Sequence, residues 1–157
     1  MMKQFTITNG LDIPVAGEPE QKVYEGNNVS RVAVVGPDYI GMRPDLKVEK
    51  GDRVRLGELL FTDKKREGVR HTSPGCGRVV EIKRGERRRF LSLVIELEGD
   101  DEVTFSSYED DEIAQLQGER VREQLNEAGL WTAIRSRPFG RTPGLGEKPG
   151  SIVVTAM

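Results

Sequence analysis

Val48 to Lys65 reads VEKGDRVRLGELLFTDKK, and its turns decide the fold. Gly51-Asp52 and Gly57-Glu58 sit between three short runs of strand formers, LKV, RVRL and LLFT. That spacing predicts tight hairpins closing a small β unit, because glycine-containing pairs reverse the chain at little steric cost. Outward from it, Lys64–Gly68 reads as a long basic tip, VRHT as the returning strand and Ser73-Pro74-Gly75 as a turn. RVVEIK follows, then a turn at Gly85 and the strand RRRFLSLVIELEG. Val79, Ile82, Leu91, Leu93, Ile95 and Leu97 are the expected inward positions, the last four at strict period two.

Upstream, Arg31–Val35, RVAVV, predicts a buried strand stopped by Gly36-Pro37, and PDYIGMRP a loop holding Tyr39, Met42 and Arg43 between two prolines. Residues 1–30 are expected to run extended around the domain, since Gly10, Pro14, Gly17 and Pro19 break any longer element. Helices are expected only after the β unit. Ser107, three residues ahead of Asp110, suggests a capped start for a helix over Tyr108–Leu116. Glu119–Ala128 places Val121, Leu125 and Ala128 on one face and ends at Gly129. SIVVTAM, Ser151–Met157, reads as a buried strand.

Composition narrows the function classes. With 36% hydrophobic and 32% charged residues, 18 Gly and 8 Pro, the chain is a turn-rich soluble protein and neither a coiled coil nor a disordered tail. A net charge of −2 gives no general case for nucleic-acid binding. One cysteine, Cys76, and one histidine, His71, exclude an intrachain disulfide and a Cys-rich zinc or iron–sulfur site built from this sequence alone. Neither has an evident catalytic partner, and Cys76 in SPGCG reads as a small residue in a glycine turn. The acidic residues between Glu96 and Glu112 lack calcium-loop spacing, so no metal site is expected. No run approaches the roughly 20 apolar residues of a membrane span, so membrane association is expected to be peripheral. Charge is nevertheless patterned: KKREGVR and KRGERRR are basic, and 96–112 is acidic. One end of the molecule is expected to be basic and another acidic, either as solvated tips or as a surface for a partner or anionic lipid headgroups.

The pattern Val48, Gly51, Asp52, Val54, Gly57, Leu60, with Thr62-Asp63-Lys64 and Ser73-Pro74-Gly75 beyond it, resembles the biotinyl and lipoyl carrier domains. The fold implied is a barrel-sandwich hybrid, mainly β with some α. Lys64 would then be the site of a lipoyl or biotinyl arm. Against this, its hairpin is longer and more charged than a carrier tip, and the methionines that flank a biotinyl lysine are absent. A barrel without an arm is the favoured reading.

Four stretches carry a more specific likeness: GLDIPVAGEP (10–19), DYIGMRP (38–44), FTDKKREG (61–68) and LWTAIRSRPF (130–139). Together, and in order, they resemble the A-subunit family of the sodium-translocating NADH:quinone oxidoreductases. The resemblance implies a peripheral subunit on the cytoplasmic face of the bacterial inner membrane, held by the other subunits of the complex. It implies no flavin, iron–sulfur or covalent cofactor in this chain. Oxidation of NADH and sodium movement would belong to other subunits, with ubiquinone as the substrate of the complex. Residues 1–105 would form the barrel domain with its N-terminal wrap, and residues 106–157 a helical connection and the first strand of a truncated α/β domain. A second family, the C subunits of the ion-pumping ferredoxin:NAD oxidoreductases, shares such a barrel. Its cysteine-rich motifs lie beyond this region, and GLDIPVAGEP and DYIGMRP favour the quinone reductase.

A quinone head needs an apolar or aromatic wall and donors for its carbonyls. The resemblance directs attention to Val35–Met42 and Trp131–Phe139, which supply Tyr39, Met42, Trp131 and Phe139 as wall and, with the adjoining Arg43, Arg135 and Arg137 as donors. The competing reading is that Tyr39, Met42 and Trp131 fill the seam between barrel and helices.

Overall fold

The computed structural model describes residues 16–154. Seven short strands make two antiparallel sheets: β1 (Arg31–Val35), β2 (Pro44–Leu46), β3 (Arg53–Val54), β4 (Leu59–Asp63), β5 (Arg70–Thr72), β6 (Gly77–Arg84) and β7 (Phe90–Leu97). One sheet runs β1-β7-β6-β3 and the other β2-β4-β5. The two inner faces enclose one core.

Register explains which residues that core uses. Val34, Leu93 and Ile82 lie in one cross-strand row and Val32, Ile95 and Val79 in the next. In the second sheet Leu46, Phe61 and His71 form the corresponding row. A register shift between Leu59 and Phe61 lets Leu60 and Phe61 be buried in succession, which an unbroken alternation forbids. Of the two irregularities between β6 and β7, the one at Lys83 and Arg84 sends Phe90 inward and leaves Leu91 half-buried, so the strict period expected for β7 holds only for Leu93 and Ile95. Gly77 is required by proximity: a Cβ there would collide with the Glu96 carbonyl of β7.

Several expectations change. The turn over Glu49–Asp52 is present, with the Asp52 N–H donating to the Glu49 carbonyl at 3.2 Å. The strands on its two sides nevertheless enter different sheets, β2 beside β4 and β3 beside β6. A turn reverses direction; the partner is chosen by where Val54 can be buried. RVAVV is an edge strand with only Val34 buried. Of the expected N-terminal wrap, residues 1–15 lie outside the described residues, while 16–30 are exposed throughout, Val23 and Tyr24 included. The buried strand expected at Ser151–Met157 is not formed over 151–154, where Ile152, Val153 and Val154 are exposed, and 155–157 lie outside the described residues. β-Branched residues make a strand only beside a free sheet edge that also covers their side chains.

Two helices follow. α1 (Asp110–Ile113) is capped by Glu109 and not Ser107: the Glu112 carboxylate accepts the Glu109 N–H at 3.0 Å. α2 (Gly118–Glu127) ends at Gly129, whose φ of 78° is the left-handed conformation expected of a glycine cap. Its buried residue is polar. Asn126 accepts the Arg70 N–H at 3.0 Å and donates to the Gly68 carbonyl at 2.9 Å. The side chain thereby acts as a partner for the free edge of β5. Thr72 Oγ1 donates to the Ala128 carbonyl at 3.1 Å, and a Cβ on Gly129 would clash with Thr72. The apolar stripe predicted for α2 contributes less: Val121 is exposed, and Leu125 and Ala128 are half-buried. A ten-residue helix is marginal alone, so these polar ties hold it.

His71 is the buried polar member of the core, 3% exposed, stacked on Phe61 at 4.5 Å and met edge-on by Tyr39 at 4.5 Å. Burial, reinforced by the Arg135 guanidinium and only partly opposed by Asp63, pushes its pKa down to about 4.

Two outcomes follow from these ties. Asn126→Ala leaves the Arg70 N–H and Gly68 carbonyl without their partner and is expected to lower unfolding stability by about 1–3 kcal/mol in urea titration; an unchanged midpoint would remove Asn126 from its role. For His71 the folded state resists the proton that the unfolded chain accepts below pH 6.5. Its contribution is therefore present in full above pH 6.5 and lost as pH falls to about 4. The loss approaches roughly 3 kcal/mol, and His71→Phe is expected to flatten the stability profile across that window, read by thermal denaturation against pH.

Candidate functional site

The loop between β1 and β2 is built by its prolines and glycines. Gly36–Asp38 makes one 3-10 turn, with the Tyr39 N–H donating to the Gly36 carbonyl at 3.1 Å, and the Met42 N–H then donates to the Tyr39 carbonyl at 3.1 Å. Tyr39 and Met42 are turned toward the barrel and pack against its core, while Ile40 is exposed. The loop forms one wall of a cleft of about 860 Å³, whose floor reaches Phe90. The opposite wall is the β6–β7 hairpin, contributing Arg84, Arg87, Arg88 and Arg89.

The second segment reaches this loop from the other end of the chain. Leu130–Ala133 is a 3-10 turn. Beyond it the chain folds back on itself: Ser136 pairs with Arg141, and the Arg137–Pro138 peptide bond is cis. The Arg135 guanidinium stands 5.5 Å from the centre of the Tyr39 ring, whose edge meets His71. Arg135 also donates to Thr142 Oγ1 at 3.4 Å. The two stretches singled out in the sequence therefore meet at Tyr39 and Arg135.

Not every residue expected there arrives. Met42 and Arg43 line the cleft with Tyr39. Trp131 is buried and donates from Nε1 to the Pro143 carbonyl at 2.9 Å, fastening the C-terminal loop, so it fills the seam. Arg137 and Phe139 lie on the outer turn, where Phe139 is 67% exposed and carries the Arg141 guanidinium over its ring at 5.5 Å.

Lys64 leaves the end of β4 and forms an ion pair with Asp45 at 2.9 Å. The ammonium groups of Lys47 and Lys64 together hold the Asp45 carboxyl down at about 2. The hairpin tip, long and charged, is tied from within. Buried Asp63 accepts the Arg43 N–H at 3.0 Å, the Lys65 N–H at 2.9 Å and the Arg66 guanidinium at 3.2 Å. A carrier lysine must project freely to its ligase; this one, half exposed, is paired with Asp45.

Cys76 is buried, with Sγ 3.3 Å from the Glu98 carbonyl, a packing role. Among the described residues no group of three or more His, Cys, Asp or Glu side chains converges to hold a metal ion, and no helix is long and apolar enough to cross a membrane. Sequence reasoning missed the roles of Asn126 and Asp63. It marked KRGERRR as basic, but the joining of that stretch to the Tyr39 loop is a matter of sheet topology.

The sequence has counterparts among known proteins. Residues 5–98 match the family model described as the NqrA N-terminal barrel-sandwich hybrid domain, and residues 116–157 that of the NqrA second alpha/beta domain. The A subunit of the Na(+)-translocating NADH-quinone reductase of Actinobacillus pleuropneumoniae is 51% identical over 153 residues. Those of Glaesserella parasuis and Haemophilus influenzae are 50% and 47% identical over 153 residues. In each case the alignment covers 98% of this chain and 34% of the relative, so the chain spans about a third of the length of these proteins. An alignment of this extent, on a barrel of this construction, decides between the two barrel-bearing families: the chain belongs to the A-subunit family of the Na(+)-translocating NADH-quinone reductases.

Proposed function

We propose that this chain forms part of a peripheral component of a Na+-translocating NADH:ubiquinone oxidoreductase, on the cytoplasmic face of a bacterial inner membrane, where it contributes to assembly of the complex and to binding of quinone. It carries no redox cofactor of its own, and NADH oxidation and sodium movement belong to its partner subunits. The same reading divides the chain near residue 105, close to Val103, whose N–H donates to the Leu56 carbonyl of the barrel at 2.9 Å.

The observation that carries the quinone reading is the meeting of Tyr39 and Arg135, two residues far apart in sequence, beside a buried neutral imidazole. Tyr39, Met42 and Phe90 offer an aromatic and apolar wall for a ring, Arg43 offers a charged donor in the same cleft, and Arg135, outside the lining, a second one beside the Tyr39 ring. A guanidinium held near a carbonyl oxygen binds more strongly as negative charge develops there during reduction. The Tyr39–Arg135 contact also has a purely structural use, and labelling separates the two.

In the assembled complex, a photoreactive quinone analogue is expected to label Val35–Met42 and Trp131–Phe139, mapped by peptide mass. Tyr39→Leu is expected to weaken that labelling about tenfold, equivalent to about 1.4 kcal/mol. Labels that consistently avoid both segments would retire the site. For Lys64, the intact mass of the protein from native cells is expected to equal that of the unmodified polypeptide; a lipoyl or biotinyl adduct would restore the carrier reading.

A further inference from the structure

The cleft beneath the Tyr39 loop holds more positive charge than a quinone requires. Arg43, Lys64, Arg84, Arg87, Arg88 and Arg89 line it, and its lining contains no Asp or Glu. Lys64 is already paired with Asp45. None of the five arginines makes an ion pair with a carboxylate among the described residues. The carboxylates nearest in sequence, Asp38 and Glu86, lie outside the lining. In a chain of net charge −2, five uncompensated guanidinium groups around one cavity are a local excess that an anion would relieve.

The backbone adds an independent sign. Arg87 and Arg88 have φ of 53° and 61°, so both occupy the left-handed region. They are the centre of a turn closed by the Arg89 N–H on the Glu86 carbonyl at 3.0 Å. Such a turn is the natural place for Asn-Gly, and arginine there is strained. Strain at a surface turn that aims charge into a cleft is the kind of outlier that points to binding. Arg84 reinforces the arrangement, donating to the Arg88 carbonyl at 3.3 Å.

The remaining lining selects among anions. Beside the arginines stand Tyr39, Met42, Phe90 and Ile40, the last 50% exposed. No Asn, Gln, Ser, Thr or carboxylate side chain lines the cleft, so nothing there reads a nucleobase or holds a ribose diol, for which a carboxylate is the usual partner. Arginines for a phosphate next to an exposed aliphatic side chain for an acyl chain match an amphiphile at a bilayer surface.

We propose that the cleft between the Tyr39 loop and the Arg84–Arg89 hairpin binds the phosphate headgroup of an anionic phospholipid, with Ile40 meeting the acyl region. Of the two basic stretches, Lys64 and Arg66 are already paired with Asp45 and Asp63, which leaves the hairpin for membrane contact. The lipid and the quinone would share the Tyr39 loop as a wall, but Arg84, Arg87 and Arg88 belong to neither quinone segment, so a variant of the hairpin tests the lipid site separately.

The test is co-sedimentation of the full chain with vesicles of about four parts phosphatidylcholine to one of phosphatidylglycerol, against phosphatidylcholine alone. Binding is expected only to the anionic vesicles and is expected to fall with added salt. The informative variant is the pair Arg87→Asn and Arg88→Gly, which suits the turn better than the native residues, so thermal stability is expected to be equal or higher. Partitioning is expected to drop roughly 20- to 30-fold for the two charges removed. Unchanged partitioning of this variant would overturn the proposal. So would glycerol phosphate or inorganic phosphate bound as tightly as the vesicles, which would make the ligand a soluble phosphate ester. Binding of a polyglutamate peptide with no binding to anionic vesicles would assign the cleft to an acidic protein segment and equally overturn it.

Discussion

Everything around the cleft depends on one imidazole that stays uncharged. His71 occupies the end of the Leu46–Phe61–His71 row, stacked on one ring and met by the edge of another. Burial is the main reason that the imidazole stays neutral, and the Arg135 guanidinium adds to it. Tyr39 packs against this imidazole at 4.5 Å, and the Tyr39 ring in turn lies under the Arg135 guanidinium. A core residue of the second sheet thus sets the position of a surface loop and draws in a segment more than sixty positions later. Asp63 does similar work one strand away, where a single buried carboxylate organises the Arg43, Lys65 and Arg66 groups.

What was legible in the sequence was local chemistry. Glycine turns and β-branched runs placed most of the strands, and Gly129 marked the end of α2 by the one conformation that glycine adopts freely. What was not legible was partnership. The Glu49–Asp52 turn looks like a hairpin, yet β2 and β3 separate because Val48 and Val54 are buried in a core shared by both sheets. The helix cap passed from Ser107 to Glu109 because the capping carboxylate came from Glu112, a residue type that serves either role. Asn126 was invisible for a related reason. An amide buried in a helix looks like a fault in an apolar stripe until a strand edge with a free N–H and carbonyl is set beside it. The candidate site divides in the same way: Tyr39 and Arg135 were named from sequence and do meet, whereas Trp131 is drawn into the seam by its bond to Pro143.

Charge is distributed along β7 in the sense the sequence suggested. The strand begins at Phe90, on the floor of the arginine cleft, and ends at Leu97 beside Glu96, Glu98 and Asp101. Eight residues of strand separate the two ends by about 25 Å, well over the Debye length of roughly 8 Å at physiological salt. The acids therefore do not quench the arginines. They are engaged locally instead, Glu96 with Arg31 and Asp101 with Arg53. A single strand serves as the spacer that lets a weakly acidic protein present a strongly basic face.

The turn at Arg87 and Arg88 shows why this basic face is more than a solvated tip. A solvated tip has no reason to retain strain, since left-handed arginines cost of order 1 kcal/mol each where asparagine or glycine would fit without it. The hairpin also sits over a register irregularity opposite Arg84, the same shift that turns Phe90 into the core. One irregularity therefore does two things: it anchors the hairpin through Phe90, which packs against Phe61 at 5.3 Å, and it aims the arginines across the cleft at the Tyr39 loop. Strain in the turn is offset by packing in the barrel, and what the fold gains from it is direction of charge.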